Sequence, residues 1–175
     1  MRRTIETIQE HGPIYIGLDM ALTAAGYAVI AGDHTLTSGT WKPPKDCMGI
    51  PRLCWFEATL TQFLRHWRPT MVGVEDYAFG QGNRAHQIGE LGGLVRMTLA
   101  RSGFASYTVP IGANKKHASG KGNTPKSQMM LAAFKKWGYT AQNDNDADAY
   151  CLARFLQAVA NGKADGKGLV LLGVV

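Results

Sequence analysis

Cysteine is scarce in this 175-residue chain: Cys47, Cys54 and Cys151 are odd in number and show no Cys-x-x-Cys spacing. That excludes a disulfide framework and a cysteine-based zinc site, and it fits a reducing, cytoplasmic setting. Long apolar runs are missing as well, so no segment reads as a membrane span. Met1-Arg2-Arg3 leads into polar and charged residues rather than the apolar core of a secretory signal. Internal repeats and low-complexity segments are absent. Acids are the minority, with 13 Asp and Glu against 19 Lys and Arg, for a net charge of +6. An excess of that sign favours an anionic partner, nucleic acid first. The length suits one domain with its own core.

What is present reads as alternating strands and helices. Ile14–Leu18 and Gly26–Ile30 are apolar, strand-like runs joined by a short turn, and His34–Trp41 completes a meander. Pro51 opens a helix to about Trp67, with Leu53, Phe56, Leu60, Phe63 and Leu64 at helical spacing. Met71–Val74 is a strand ending at Glu75, and the glycine-rich stretch 80–83 leads into a helix from about Arg84 to Arg101. Phe104–Val109 is the next strand. Residues 115–126 read as a basic, glycine-containing loop, followed by a helix through Trp137 and a last helix to about Ala160. Three strands followed by strand and helix alternation imply an α/β fold with a mixed five-stranded sheet flanked by helices. Residues 1–160 form the expected domain, and 161–175 a flexible linker and apolar tail.

Carboxylates crowd the start of the last helix, at Asp144, Asp146 and Asp148. Such a cluster has two explanations. Acids favour a helix N-terminus, and Asp144 or Asn145 would serve as an N-cap. Alternatively a divalent cation compensates their repulsion. Asp19 and Glu75, each directly after a buried strand, supply the partners the second account needs, because strand ends and helix starts meet at one edge of such a sheet. Asp19, Glu75 and Asp148 then make a site for Mg²⁺ or Mn²⁺.

Four stretches together resemble RuvC-type Holliday junction resolvases. "GLDMALTAAGYAVI" has a strand with an Asp, a small-residue turn and a Gly-Tyr opening the next strand. "VGVEDYAFGQGNRAHQIGELGGLVR" has a Glu closing an apolar strand before a glycine-containing helix. "VPIGANKKHASGKGNTPKSQM" has a Pro, a Lys, Gly-x-Gly and a further Lys, and "NDADAYCLA" is an acidic helix start. The motifs stand in the family's order across roughly residues 14–156. The resemblance implies an RNase H-like fold and a two-metal endonuclease that nicks four-way DNA junctions, leaving 5′-phosphate and 3′-hydroxyl ends. It implies a homodimer, whose twofold symmetry matches paired nicks, with the helix carrying Gly89, Gly92 and Gly93 helping to build it. Asp19, Glu75 and Asp148 match metal-binding acids of the family. Many members carry an acid or His three residues before the last Asp, where this chain has Asn145. Asp146, at an irregular helix start, is the expected fourth ligand; Asp144 and the Asn145 carbonyl are the alternatives.

Lys115, Lys116, Lys121 and Lys126 would draw DNA phosphate toward a region that otherwise repels it, and Lys115 and Lys126 match DNA-contacting lysines of the family. Arg84 is a further expected DNA contact. Tyr77 and Phe79 follow Glu75, where the family places an aromatic at the junction crossover. The rival readings are a sugar-kinase or actin-like fragment, an RNase H or integrase relative of other specificity, and a catalytically silent junction-binding module.

Overall fold

The computed structural model describes residues 12–76 and 84–173, so Tyr77 and Phe79 lie outside the described residues. Among the described residues six strands are formed: β1 (Ile14–Asp19), β2 (Ala25–Ala31), β3 (His34–Trp41), β4 (Met71–Glu75), β5 (Ala105–Val109) and β6 (Val170–Gly173). Five α-helices accompany them among the same residues: α1 (Ile50–Trp67), α2 (Ala85–Arg101), α3 (Ile111–Ser119), α4 (Met129–Trp137) and α5 (Asp144–Ala160). The sheet order is β3-β2-β1-β4-β5-β6. β1 pairs antiparallel with β2 and parallel with β4, β4 runs parallel to β5, and β6 returns antiparallel on β5. The mixed α/β sheet is as expected, but it has six strands, because part of the apolar tail pairs with β5.

A second difference lies after Pro110. Residues expected as loop form α3, which starts after extended Pro110 and stops at Gly120 in the left-handed region, φ 85°. Its apolar pattern is thin, with only Asn114 and Ala118 buried, so helical periodicity had little to show.

Strand alternation decides what faces where. Ile14, Ile16 and Leu18 of β1 pack with Phe56, Leu60 and Leu64 of α1 and with Leu91, Val95 and Leu99 of α2. Tyr15 joins the opposite core, with α5 and with Ala118, Met129 and Ala133 of the two helices outside it. Residues 17 and 19 of β1, and 73 and 75 of β4, share that second face.

Glycine lets α5 lie directly on it. A Cβ at Gly17 would overlap the Ala149 carbonyl oxygen and come 2.6 Å from the Ala153 nitrogen, and one at Gly26 would overlap the Asn145 main chain. At Gly73 it would meet Leu156 Cδ1 at 2.8 Å. The helix is buried almost all round from Asp146 to Leu156, as a helix between sheet and outer helices must be. Among the described residues no helix is long and apolar enough to cross a membrane.

Candidate metal centre

Parallel neighbours β1 and β4 are in register from Tyr15 with Met71 to Leu18 with Val74. Their next residues, Asp19 and Glu75, therefore end adjacent strands on the face that α5 covers. The second turn of α5 adds Asp148. Asp19, Glu75 and Asp148 each offer a carboxylate oxygen, all within 4.8 Å of one another.

Like charges this close demand compensation. Burial raises Asp19; the Lys126 ammonium opposes that, while Asp144 adds to it. Burial likewise pushes Glu75 to about 8, helped by Asp19 and Asp148. Asp148 rises to about 7 through burial and the Asp19 charge, against the pull of Lys126 and Lys115. Without a cation, the cluster thus holds protons near neutral pH. Asp19 Oδ2 and Asp148 Oδ1 are buried and have no hydrogen-bond partner among the described residues. Hard, partly desolvated oxygens with open valence suit Mg²⁺ or Mn²⁺, so the donor set fits such an ion.

Asp146 is not part of this cluster, which corrects the expectation that it turns inward. It is fully buried elsewhere: its Oδ1 accepts from the Tyr139 hydroxyl at 2.7 Å and its Oδ2 from the Gln142 main-chain N–H at 2.9 Å. Ser38 Oγ lies 2.6 Å from the same tyrosine hydroxyl, tying the start of α5 to β3. Helix geometry explains the choice, because residues three apart share a face and residues two apart do not. Asn145 is therefore the residue beside Asp148. Its Nδ2 donates to the Ala24 carbonyl at 2.8 Å, and its Oδ1 accepts from Lys126 Nζ at 3.1 Å. Neither Asp144 nor Asn145 is the N-cap. Asn143 is, with Oδ1 accepting from the Asp146 N–H at 3.0 Å, so capping does not account for the acids.

The basic residues separate. Lys126, half exposed, stands over the cluster, 3.9 Å from Asp19, 3.9 Å from Asp148 and 3.4 Å from Asp144. Burial pulls its pKa down, but Asp19, Asp144 and Asp148 outweigh that and hold it above the ordinary lysine value. Lys115 of α3 acts on Asp148 electrostatically. Lys116 instead lines a separate groove with His117, Phe155, Lys163 and Lys167. Lys121 lies in the exposed turn after Gly120, where Ser119 and Thr124 hydroxyls donate to its carbonyl. Arg84, just before α2, lines a hollow with Met20, Leu22 and Ile88. The cleft beside the carboxylates is bordered by Met20, Asp76, Ile88, Arg96, Lys126 and Asn145. Asp76 and Arg96 form a 2.5 Å ion pair there that sequence reading did not foresee.

Gly89 and Gly93 lie on α2, the helix expected to help build a homodimer. Among the described residues, nothing lies within 4 Å of a Cβ built on either.

No family model matches the chain. Curated relatives do: a crossover junction endodeoxyribonuclease RuvC of Parasynechococcus marenigrum is 28% identical over 144 residues, 79% of this chain and 94% of the relative. One of Parvibaculum lavamentivorans is 28% identical over 145 residues, covering 79% and 83%. Among solved structures, Thermus thermophilus RuvC superposes with a TM-score of 0.72 at 23% identity, covering 87% of this chain and 98% of that one. Fowlpox virus resolvase, solved with Holliday junction DNA, gives a TM-score of 0.53 at 12% identity, covering 82% and 98%. The resemblance carried by the four motifs is thus borne out: the chain is similar in sequence to RuvC-type resolvases over 79% of its length and shares their RNase H-like fold.

Proposed function

We propose that this chain is a metal-dependent, structure-selective endonuclease that resolves four-way DNA junctions by paired, symmetric nicks in the reducing cytoplasm. The observation that carries this reading is the convergence of Asp19, Glu75 and Asp148, with orphaned buried oxygens on two of them, in a RuvC-like chain. Asn145 replaces Asp146 as the proposed fourth ligand: the Ala24 carbonyl fixes its amide so that Oδ1 meets Lys126, which stands over the cluster.

Two Mg²⁺ or Mn²⁺ ions held by these residues would supply Lewis-acid stabilisation of charge at phosphorus during in-line displacement. The chain's own groups do the rest. Lys126, whose ammonium is shared among the carboxylates, is placed to meet a phosphate oxygen at the mouth of the site. Lys115 lowers the negative potential from the α3 side. Lys121 and Arg84, both exposed, extend the positive field along the DNA arms. The Asp76–Arg96 pair keeps an additional acid at the cleft neutralised. We further propose a homodimer formed through α2. Gly89 and Gly93 leave its backbone open to approach, between Ile88 and Met97, which are 40% and 41% exposed.

The test is a substrate panel of four-way junction, linear duplex and RNA–DNA hybrid, with Mg²⁺ or with EDTA. Mg²⁺-dependent cleavage of the junction alone is the expected result. Cutting of the hybrid instead returns the chain to an RNase H-type activity, and junction binding without cleavage makes it a silent binding module.

A further inference from the structure

Asn114 lies at the centre of α3 with no exposed surface, a polar side chain in the position where the next helical turn has Ala118. Its Nδ2 donates to the main-chain carbonyl of Asp148 at 3.3 Å, and the amide favours the charged form of the Glu75 carboxylate nearby. That acceptor fixes which end of the amide is nitrogen, because the flipped amide would set oxygen against oxygen. Oδ1 is then buried without a partner among the described residues. An orphaned amide oxygen destabilises a fold, and an apolar residue would fill the same helix face without that cost.

We propose that Asn114 is a positioning residue for the metal centre, holding the α5 main chain at Asp148 so that the Asp148 carboxylate stands against Asp19 and Glu75 in one arrangement that accepts a divalent cation. Glu75 comes from β4, Asp148 from α5 and Asn114 from α3, so this amide is the link between three separately packed elements. Its hydrogen bond holds the Asp148 main chain against α3. The Asp148 carboxylate is thereby set beside Asp19 and Glu75 before any ion arrives, as hydrogen-bonded supports of ligating groups do in metal sites generally.

The inference rests on the metal-centre reading above, and the experiment separates the two. Asn114→Leu is close in size and lacks both donors; Asn114→Ala is the second variant in case Leu distorts the helix. The readouts are Mn²⁺ titration by calorimetry, thermal melting in EDTA, junction affinity in EDTA, and cleavage rate against Mn²⁺ concentration. The expected result is an Mn²⁺ affinity weakened about 10-fold or more. Junction affinity stays unchanged, the melting point is equal or higher for Leu, and the maximal rate is recovered largely at saturating Mn²⁺. Unchanged Mn²⁺ affinity in a folded variant overturns the inference. So does a lowered melting point in both variants with junction affinity lost in proportion, which makes Asn114 part of the packing. Wild-type protein that binds no Mn²⁺ overturns the metal-centre reading itself.

Discussion

Replacing Asp148 by Asn separates a metal site from a structural acid. The carboxylate oxygens lie within 4.8 Å of one another. At an effective dielectric near 20, two unit charges at that distance repel by about 3.5 kcal/mol. The metal-free protein does not bear that in full. Lys126 stands 3.9 Å from Asp148, and the cluster also escapes by taking up protons. The residual strain at alkaline pH is about 1–2 kcal/mol, or a melting shift of roughly 3–6 °C for a chain of this size. Its pH dependence has a definite sign. Glu75 and Asp148 titrate at about 8 and 7 in the fold, above their ordinary 4.5 and 3.8. The metal-free fold thus has the full benefit of their protonation below about pH 4 and loses it as pH rises through 7 and 8. Asp148→Asn should melt higher than wild type in EDTA at pH 8.5, by that margin, and coincide with it only near or below pH 4. Mn²⁺ should raise the wild-type midpoint by mass action and leave the mutant unmoved, and the mutant should bind junction DNA without cutting it. Scanning calorimetry at the two pH values, with and without Mn²⁺, is the assay. A mutant that melts lower by the same amount at both pH values and still responds to Mn²⁺ would refute the reasoning.

Asp146→Asn should behave in the opposite way. It weakens the acceptor of Tyr139 and the Gln142 main chain, costing about 1–3 kcal/mol in denaturant titration, while Mn²⁺ affinity by calorimetry stays put. Gly17→Ala presses a methyl into the α5 main chain and should lower stability by roughly 1–3 kcal/mol or more; junction cleavage by the folded fraction should fall because Asp148 rides on α5. Lys126→Ala and Lys115→Ala should each flatten the salt dependence of junction binding by about one unit of log–log slope, read by fluorescence anisotropy across a salt series.

The strands and most helices were legible because burial alternates along them. Ile14, Ile16 and Leu18 mark one face of β1, and Phe56, Leu60 and Leu64 one stripe of α1. Asp19 and Glu75 were legible as members of the carboxylate cluster because each ends such a strand. Three features were not. α3 carries almost no apolar stripe, so its lysines read as a loop and Asn114 had no helix face to be assigned to. β6 is a short edge strand whose Val170 and Leu171 are more than half exposed, which a sequence shows only as an apolar tail. The choice between Asn145 and Asp146 turned on helix phase. Phase depends on where the helix begins, and the Asn143 cap sets that through a hydrogen bond that the acid-rich sequence around it obscures.

Asp19, Glu75 and Asp148 are proposed together to make a metal-dependent junction nuclease. Single-turnover cleavage of an end-labelled four-way junction, with saturating protein and Mg²⁺, tests it most directly when wild type is run beside Asp19→Asn and Glu75→Gln. Wild type should make paired nicks in opposite strands in Mg²⁺ and none in EDTA, and neither variant should cut although both still bind the junction. Cleavage by wild type in EDTA, or by either variant in Mg²⁺, would contradict it.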